Sequence, residues 1–206
     1  MSTTGQQTRE RILDGAQRLI LDHGLAATSI DAILSETDTS KGSFFHHFPT
    51  KNHLARALVE RYAADDIAWL DEYMALTETE HDDPAVQLVR FIGKFEDAAD
   101  EMASQQPSCL SVAYISDRQL FDDGTNDIIA GTVIAWRDRL ADKIREAIEV
   151  HPPAIPVDPE GLADHVYATF EGAFILARAM DDRNIMRSQL QLVREYVAMV
   201  FGVQAT

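Results

Sequence analysis

Apolar residues in the first quarter of the chain recur every three or four positions, in short bursts separated by turn formers. In "TRERILDGAQRLILDHG", Ile12, Leu13, Ala16, Leu19 and Ile20 keep helical spacing, and Gly24 follows the last of them as a stop. "TSIDAILSETD" then opens with Thr28 and Asp31 three apart, a weak form of the capping box, and places Ile30, Ile33 and Leu34 on one face. Ser40 is a cap for a third, short helix whose Phe44 and Phe48, four apart, face the same way. Pro49 ends that helix. Thr50 caps a fourth, predicted from Lys51 towards Thr77 and lined by Leu54, Leu58, Tyr62, Trp69 and Tyr73.

Further along, breaks fall at "TETEHDDP", "QQPS", "DDGTN" and "HPPAIPVDP", with helical stretches between them. No run alternates with β-branched residues as a strand would. The pattern predicts an all-α fold.

Composition sharpens this picture only in places. A single cysteine, Cys109, rules out an intrachain disulfide and a multi-cysteine metal site. No apolar run approaches the ~20 residues that cross a bilayer, and "MSTTGQQTRERIL" has no secretory apolar core. The expected location is the cytoplasm, with no membrane partner.

Charge changes the picture more. Residues 1–62 hold seven Lys/Arg and seven Asp/Glu, whereas the rest hold 11 against 27, so the net charge of −16 lies beyond Arg61. Nucleic-acid binding gains much of its energy by neutralising phosphates, which a uniformly acidic surface opposes. An acidic body with a neutral, locally basic head permits it.

That head contains "TSKGSFFHHFPTKNHL". Three short helices before a long one, the second and third joined by a few residues, is the layout of a helix-turn-helix, whose third helix enters the major groove by its N-terminal end. Each residue type then has a use. Thr39 and Ser40 put hydroxyls where a helix N-terminus meets DNA, and Gly42 lets the backbone approach. Lys41 and Ser43 point away from the Phe44/Phe48 face towards base edges, and His46, His47 and Lys51 stand ready for phosphates. On spacing alone, a small capped core helix with polar outer residues accounts for the segment equally well.

The residues go further than the spacing. "TSIDAILSETDTSKGSFFHHFPTKNHL" resembles the DNA-binding segment of the TetR family of bacterial transcriptional repressors. It matches at Thr28, Ser40, Lys41, Gly42, His47, Phe48, Lys51 and Leu54, with conservative replacements at Ser43 and Phe45. Two positions depart from the pattern. Asp38 and Thr39 replace the turn glycine and valine, and Phe45 replaces a tyrosine, losing a phenolic donor to phosphate.

The resemblance implies about nine helices, with a DNA-binding domain over residues 1–50 and an effector-binding and dimerisation domain over 51–206. It implies a homodimer on double-stranded operator DNA, released by a small effector, with no cofactor and no metal. The dimer would use the last two helices, through Leu162, Val166, Gly172, Ala173 and Ala177, then Leu190, Val193, Val197 and Val200. The effector pocket would draw on Phe91, Phe95, Met102, Cys109, Tyr114, Trp136, Phe170 and Phe174, rings and soft side chains suited to an apolar or aromatic molecule. Some relatives sense electrophiles or oxidants through a cysteine near this place, which gives Cys109 an alternative task.

Enzyme readings find little support. The chain has no phosphate-cradling glycine loop, no nucleophile elbow and no H-E-x-x-H helix. His46 and His47 are adjacent, about 100° apart on a helix, and cannot share one metal. A bare interaction module would leave Ser40, Lys41, Gly42 and Lys51 without work.

Overall fold

A computed structural model describes residues 3–105 and 110–205, with side chains from 4–100 and 113–205. Among the described residues there are nine α-helices and one 3-10 turn, and no strand. The helices are α1 Thr3–His23, α2 Ile30–Thr37, α3 Lys41–His47, α4 Lys51–Glu80 and α5 Pro84–Gln105. They continue with α6 Leu110–Ser116, the turn Arg118–Leu120, α7 Asp123–Val150, α8 Pro159–Met180 and α9 Asn184–Phe201. The expected all-α fold is therefore the observed one. No helix of the described residues is long and apolar enough to cross a membrane.

Local chemistry sets most boundaries. Gly24 ends α1 at φ 82°, a left-handed backbone that glycine adopts without penalty, and its N–H reaches the Ile20 carbonyl at 2.8 Å. Asp83 starts α5 by accepting from Ala85 N–H at 2.9 Å. Asp158 caps α8, with Pro159 just inside it, and Asp181 and Gly202 close α8 and α9 with left-handed residues. The fourth helix runs to Glu80, three residues past the expected end, and Trp69, expected on its apolar face, is exposed.

The chain packs as two compact units, Met1–Ala64 with Cys109–Ala130, and Asp65–Ser108 with Gly131–Thr206. The first takes in more than the predicted 1–50 segment, because the start of α4 and residues from α6 onward join its core. That core gathers Ile12, Leu13, Ala16 and Ile20 of α1, Ile33 of α2, Phe44 and Phe48, and Leu54 and Leu58 of α4. Burying one such ring or leucine contributes about 1.5–3 kcal/mol, enough to hold a seven-residue helix that could not stand alone.

In the second unit α9 packs on α5 and α8, and Arg194 donates to Glu96 at 2.6 Å between α9 and α5. The residues expected at a dimer face divide by burial. Leu162, Val166, Ala173, Leu190, Val193 and Val197 are buried within the protomer. Gly172, Ala177 and Val200 are half-buried. A second stripe faces outward instead: Ile175, Leu176 and Met180 on α8, and Leu192, Tyr196 and Met199 on α9, with Met199 72% exposed. Gly172 belongs to this outer stripe by spacing, and a Cβ added there would meet nothing within 4 Å.

Candidate nucleic-acid interface

Helix α3 is held from below and capped from in front. Its cap is Ser40, whose hydroxyl accepts from Ser43 N–H at 3.2 Å. Phe44 is wholly buried and Phe48 nearly so, their ring centroids 5.9 Å apart, so one face is fixed in the core. The opposite face is left to solvent: Ser40, Lys41, Gly42 and His46 are exposed, Phe45 is 36% exposed, and Ser43 and His47 are half-buried. A Cβ built on Gly42 would meet nothing within 4 Å, so the fold itself makes no demand for glycine there.

The turn before α3 has its own supports. Asp38 takes φ 46° and ψ 48° and donates its N–H to the Leu34 carbonyl, doing the work that glycine does elsewhere. The Thr37 hydroxyl donates to the Ile33 carbonyl at 2.7 Å, and the Thr39 hydroxyl donates to the Thr37 carbonyl at 3.2 Å. Thr39 is buried by these contacts and buttresses the turn rather than facing outward. Beneath them lies Gly15 of α1, where an added Cβ would stand 2.2 Å from the Thr37 methyl. The close approach of α1 to α2 therefore depends on glycine at this position.

Thr28 is buried, and its hydroxyl donates back to the Gly24 carbonyl at 2.8 Å. The cap of α2 is one residue further on, at Ser29, which accepts from Ala32 N–H at 3.1 Å. Lys51 is half-buried, and its Nζ donates to the Leu25 carbonyl at 2.7 Å. Burial lowers its pKa from the ordinary lysine value, opposed by the nearby Asp117 charge. At the other end of α3 the His46 and His47 rings stand 5.2 Å apart. Desolvation first, then the charges of His46 and Arg9, lower the His47 pKa. Arg9 lies over the Phe48 ring at 5.5 Å from its centroid.

Ser40, Lys41, Gly42, Ser43, Phe45, His46 and His47 thus share one helix and its outer side, while Thr28, Thr39 and much of Lys51 turn inward. Sequence reasoning missed Gly15, Ser29, Thr37 and Asp117. A glycine inside the α1 pattern was a signal for the first. Asp117, whose carboxylate accepts the Leu25 N–H at 3.0 Å from 92 residues away, offered none.

The rings named for an effector divide. Phe91, Phe95, Trp136, Phe170 and Phe174 form one network in the second unit, with Phe91–Phe95 centroids 5.1 Å apart and Phe95–Phe170 5.2 Å apart. Tyr73 and Tyr167 extend it, and Trp136 Nε1 donates to Asp66 at 2.6 Å. Tyr114 lies elsewhere, in the core of the first unit beside Tyr62 and Phe121. The Met102 side chain and Cys109 fall outside the described residues.

Comparison with known proteins bears on this geometry. The chain is 26% identical over 164 residues to the transcriptional regulator AcuR of Cereibacter sphaeroides, covering 77% of this chain and 71% of that one. It is 23% identical over 205 residues to the transcriptional repressor NemR of Escherichia coli K12, covering 95% and 96%. Its fold resembles the crystal structure of a TetR transcriptional regulator from Chloroflexus aurantiacus, with TM-score 0.78, 24% identity and coverage of 96% and 97%. It also resembles the reduced form of E. coli NemR, with TM-score 0.70, 20% identity and coverage of 91% and 96%. Residues 12–58, which run from Ile12 in α1 through α2, the turn and α3 to Leu58 in α4, match the bacterial regulatory proteins of the tetR family. Through this segment the chain carries the helix-turn-helix of the bacterial regulatory proteins of the tetR family.

Proposed function

We propose that this protein is a repressor that binds a palindromic operator as a homodimer and leaves it when a small apolar or aromatic effector binds. The supporting observation is the build of α3, with Phe44 and Phe48 fixed inside while Ser40, Lys41, Gly42 and Ser43 stand at the free N-terminal end of the helix. Lys41 and Ser43 read base edges. His46 and His47 serve phosphates, Lys51 holds the chain behind the reading helix through its bond to the Leu25 carbonyl, and Phe45 packs against the sugar-phosphate backbone.

Residues 1–50 carry DNA binding, and 51–206 carry effector binding and dimerisation, in the cytoplasm. The outward stripe of Ile175, Leu176, Met180, Leu192, Tyr196 and Met199 supports the dimer, since exposed apolar residues on two adjacent helices seek a partner. The ring network around Phe95 and Trp136 supports an effector with aromatic or apolar character. NemR, a repressor by name, supports repression over activation.

Selection of bound duplexes from a random pool by the full chain tests this reading. It predicts an enriched site with two-fold symmetry and a complex containing an even number of chains. Enrichment of no sequence contradicts it.

A second reading has Cys109 as an electrophile or oxidant sensor, favoured by the likeness to a regulator whose structure was solved in a reduced form. Cys109→Ser then keeps operator binding and loses release by electrophiles. Wild-type chain that stays on its operator in excess electrophile removes that reading.

A further inference from the structure

Leu25 stands at the corner between α1 and α2, and charged side chains from distant parts of the chain hold both polar atoms of its backbone. The Asp117 carboxylate accepts its N–H at 3.0 Å, and the Lys51 ammonium donates to its carbonyl at 2.7 Å. Its own side chain is buried. Next to it, an added Cβ on Gly24 would lie 3.8 Å from the Asp117 carboxylate, so that carboxylate sits directly over the corner.

Neither side chain is loose. Tyr114, one turn before Asp117 on α6, is buried in the core, with its ring 5.7 Å from that of Tyr62 and 6.0 Å from that of Phe121. Lys51 begins α4, whose Leu54 and Leu58 are buried in the same core. From the held corner the chain runs through the Thr28 contacts and the Ser29 cap into α2. The end of α2 then sets α3 through the Thr37–Asp38–Thr39 turn.

We infer that Asp117 is a positioning residue for operator binding: with Lys51 it holds the backbone N–H and carbonyl of Leu25, one on each side of its Cα, and thereby fixes where α2, and α3 behind it, present themselves to DNA. The inference rests on α3 being the DNA-reading helix. Asp117 touches no DNA in this scheme. A charge-assisted hydrogen bond to a backbone N–H is of the stronger kind, and its loss leaves the Lys51 charge without its counter-charge.

The test uses the full chain as wild type, Asp117→Ala and Asp117→Asn, titrated on a duplex selected by the wild type and on a scrambled duplex, well below each variant's unfolding midpoint. The expected result for Asp117→Ala is a loss of about tenfold or more on the selected duplex, with scrambled binding and salt slope unchanged. Asp117→Asn, which can still accept from Leu25, loses about threefold or less. Hydrogen exchange at the Leu25 amide, faster by about tenfold in Asp117→Ala and unchanged at Ile20, reads the clamp without DNA and serves if the wild type selects no duplex. Equal proportional losses on both duplexes, unaltered operator affinity, or unaltered exchange at Leu25 overturns the inference. If Asp117→Ala does not fold, the same comparisons on Asp117→Asn decide, with wild-type values on every measure counting against it.

Discussion

The Lys51 ammonium donates a 2.7 Å hydrogen bond to the carbonyl of Leu25, 26 residues earlier in the chain. The lysine that the sequence places against phosphate thus begins as an internal tie, partly desolvated and with a lowered pKa. Removing a side chain that pairs with phosphate flattens the log–log salt dependence by about one unit. Lys51→Ala is therefore expected to weaken operator binding by about tenfold while the slope changes by much less than one unit, because the substitution mainly deletes a charged hydrogen bond inside the fold. Titrations at several salt concentrations measure both quantities.

Gly15 and Gly42 make opposite demands. At Gly15 an added Cβ meets the Thr37 methyl at 2.2 Å, and Thr37 is pinned by its bond to Ile33, so it cannot simply turn away. Gly15→Ala is expected to lower stability by about 1–3 kcal/mol, reduced in part by alanine's better helix propensity. Thermal unfolding reads this directly, and an unchanged midpoint would show that α2 moves aside freely.

At Gly42 nothing lies within 4 Å of the added atom, so Gly42→Ala is expected to keep or raise stability by about 0.5–1 kcal/mol. Its cost should appear only on DNA, as a loss of operator affinity where the backbone approaches. A variant with both stability and affinity intact would mean that the first turn of α3 does not come close to the duplex.

The lowered His47 pKa, caused mainly by desolvation and then by the His46 and Arg9 charges, gives a pH test. Unfolded His47 binds a proton more readily than folded His47, so this group's contribution to stability is present above the ordinary histidine pKa and lost as pH falls through the lowered value. Operator binding runs the other way, since a nearby phosphate favours the protonated ring. Affinity should rise as pH falls from about 8 to about 5.5, and His47→Gln should flatten that rise. Identical pH profiles for the two proteins would remove His47 from the residues that meet phosphate.

The local devices of the reading head are legible in the sequence because they are short-range. The α1 stripe, the Ser40 cap, the Phe44/Phe48 pair and the left-handed tolerance of Asp38 depend on residues within a few positions of one another. Even there, two adjacent hydroxyl residues compete for one cap, and Ser29 rather than Thr28 takes it because Thr28 turns back to Gly24. Faces of longer helices are harder to read. Both α8 and α9 carry two apolar stripes, and periodicity cannot say which one the protomer keeps. Leu190 and Val193, expected at a dimer face, are therefore inside, and Leu192 and Tyr196 are the outward pair. Long-range partners leave no trace in the pattern. Nothing local tells that Tyr114 joins the first unit while Phe91 and Phe95 belong to the second, or that Asp117 reaches Leu25.

The proposed reading of base edges rests most on Lys41, which is exposed at the first turn of α3. Parallel titration of wild type and Lys41→Ala on the selected operator and on a scrambled duplex tests this directly. The operator affinity is predicted to fall by roughly 1–3 kcal/mol, with preference relaxed at particular base pairs and little loss on the scrambled duplex. A loss in the same proportion on both duplexes would make Lys41 a phosphate ligand and contradict its role as a reader of base edges.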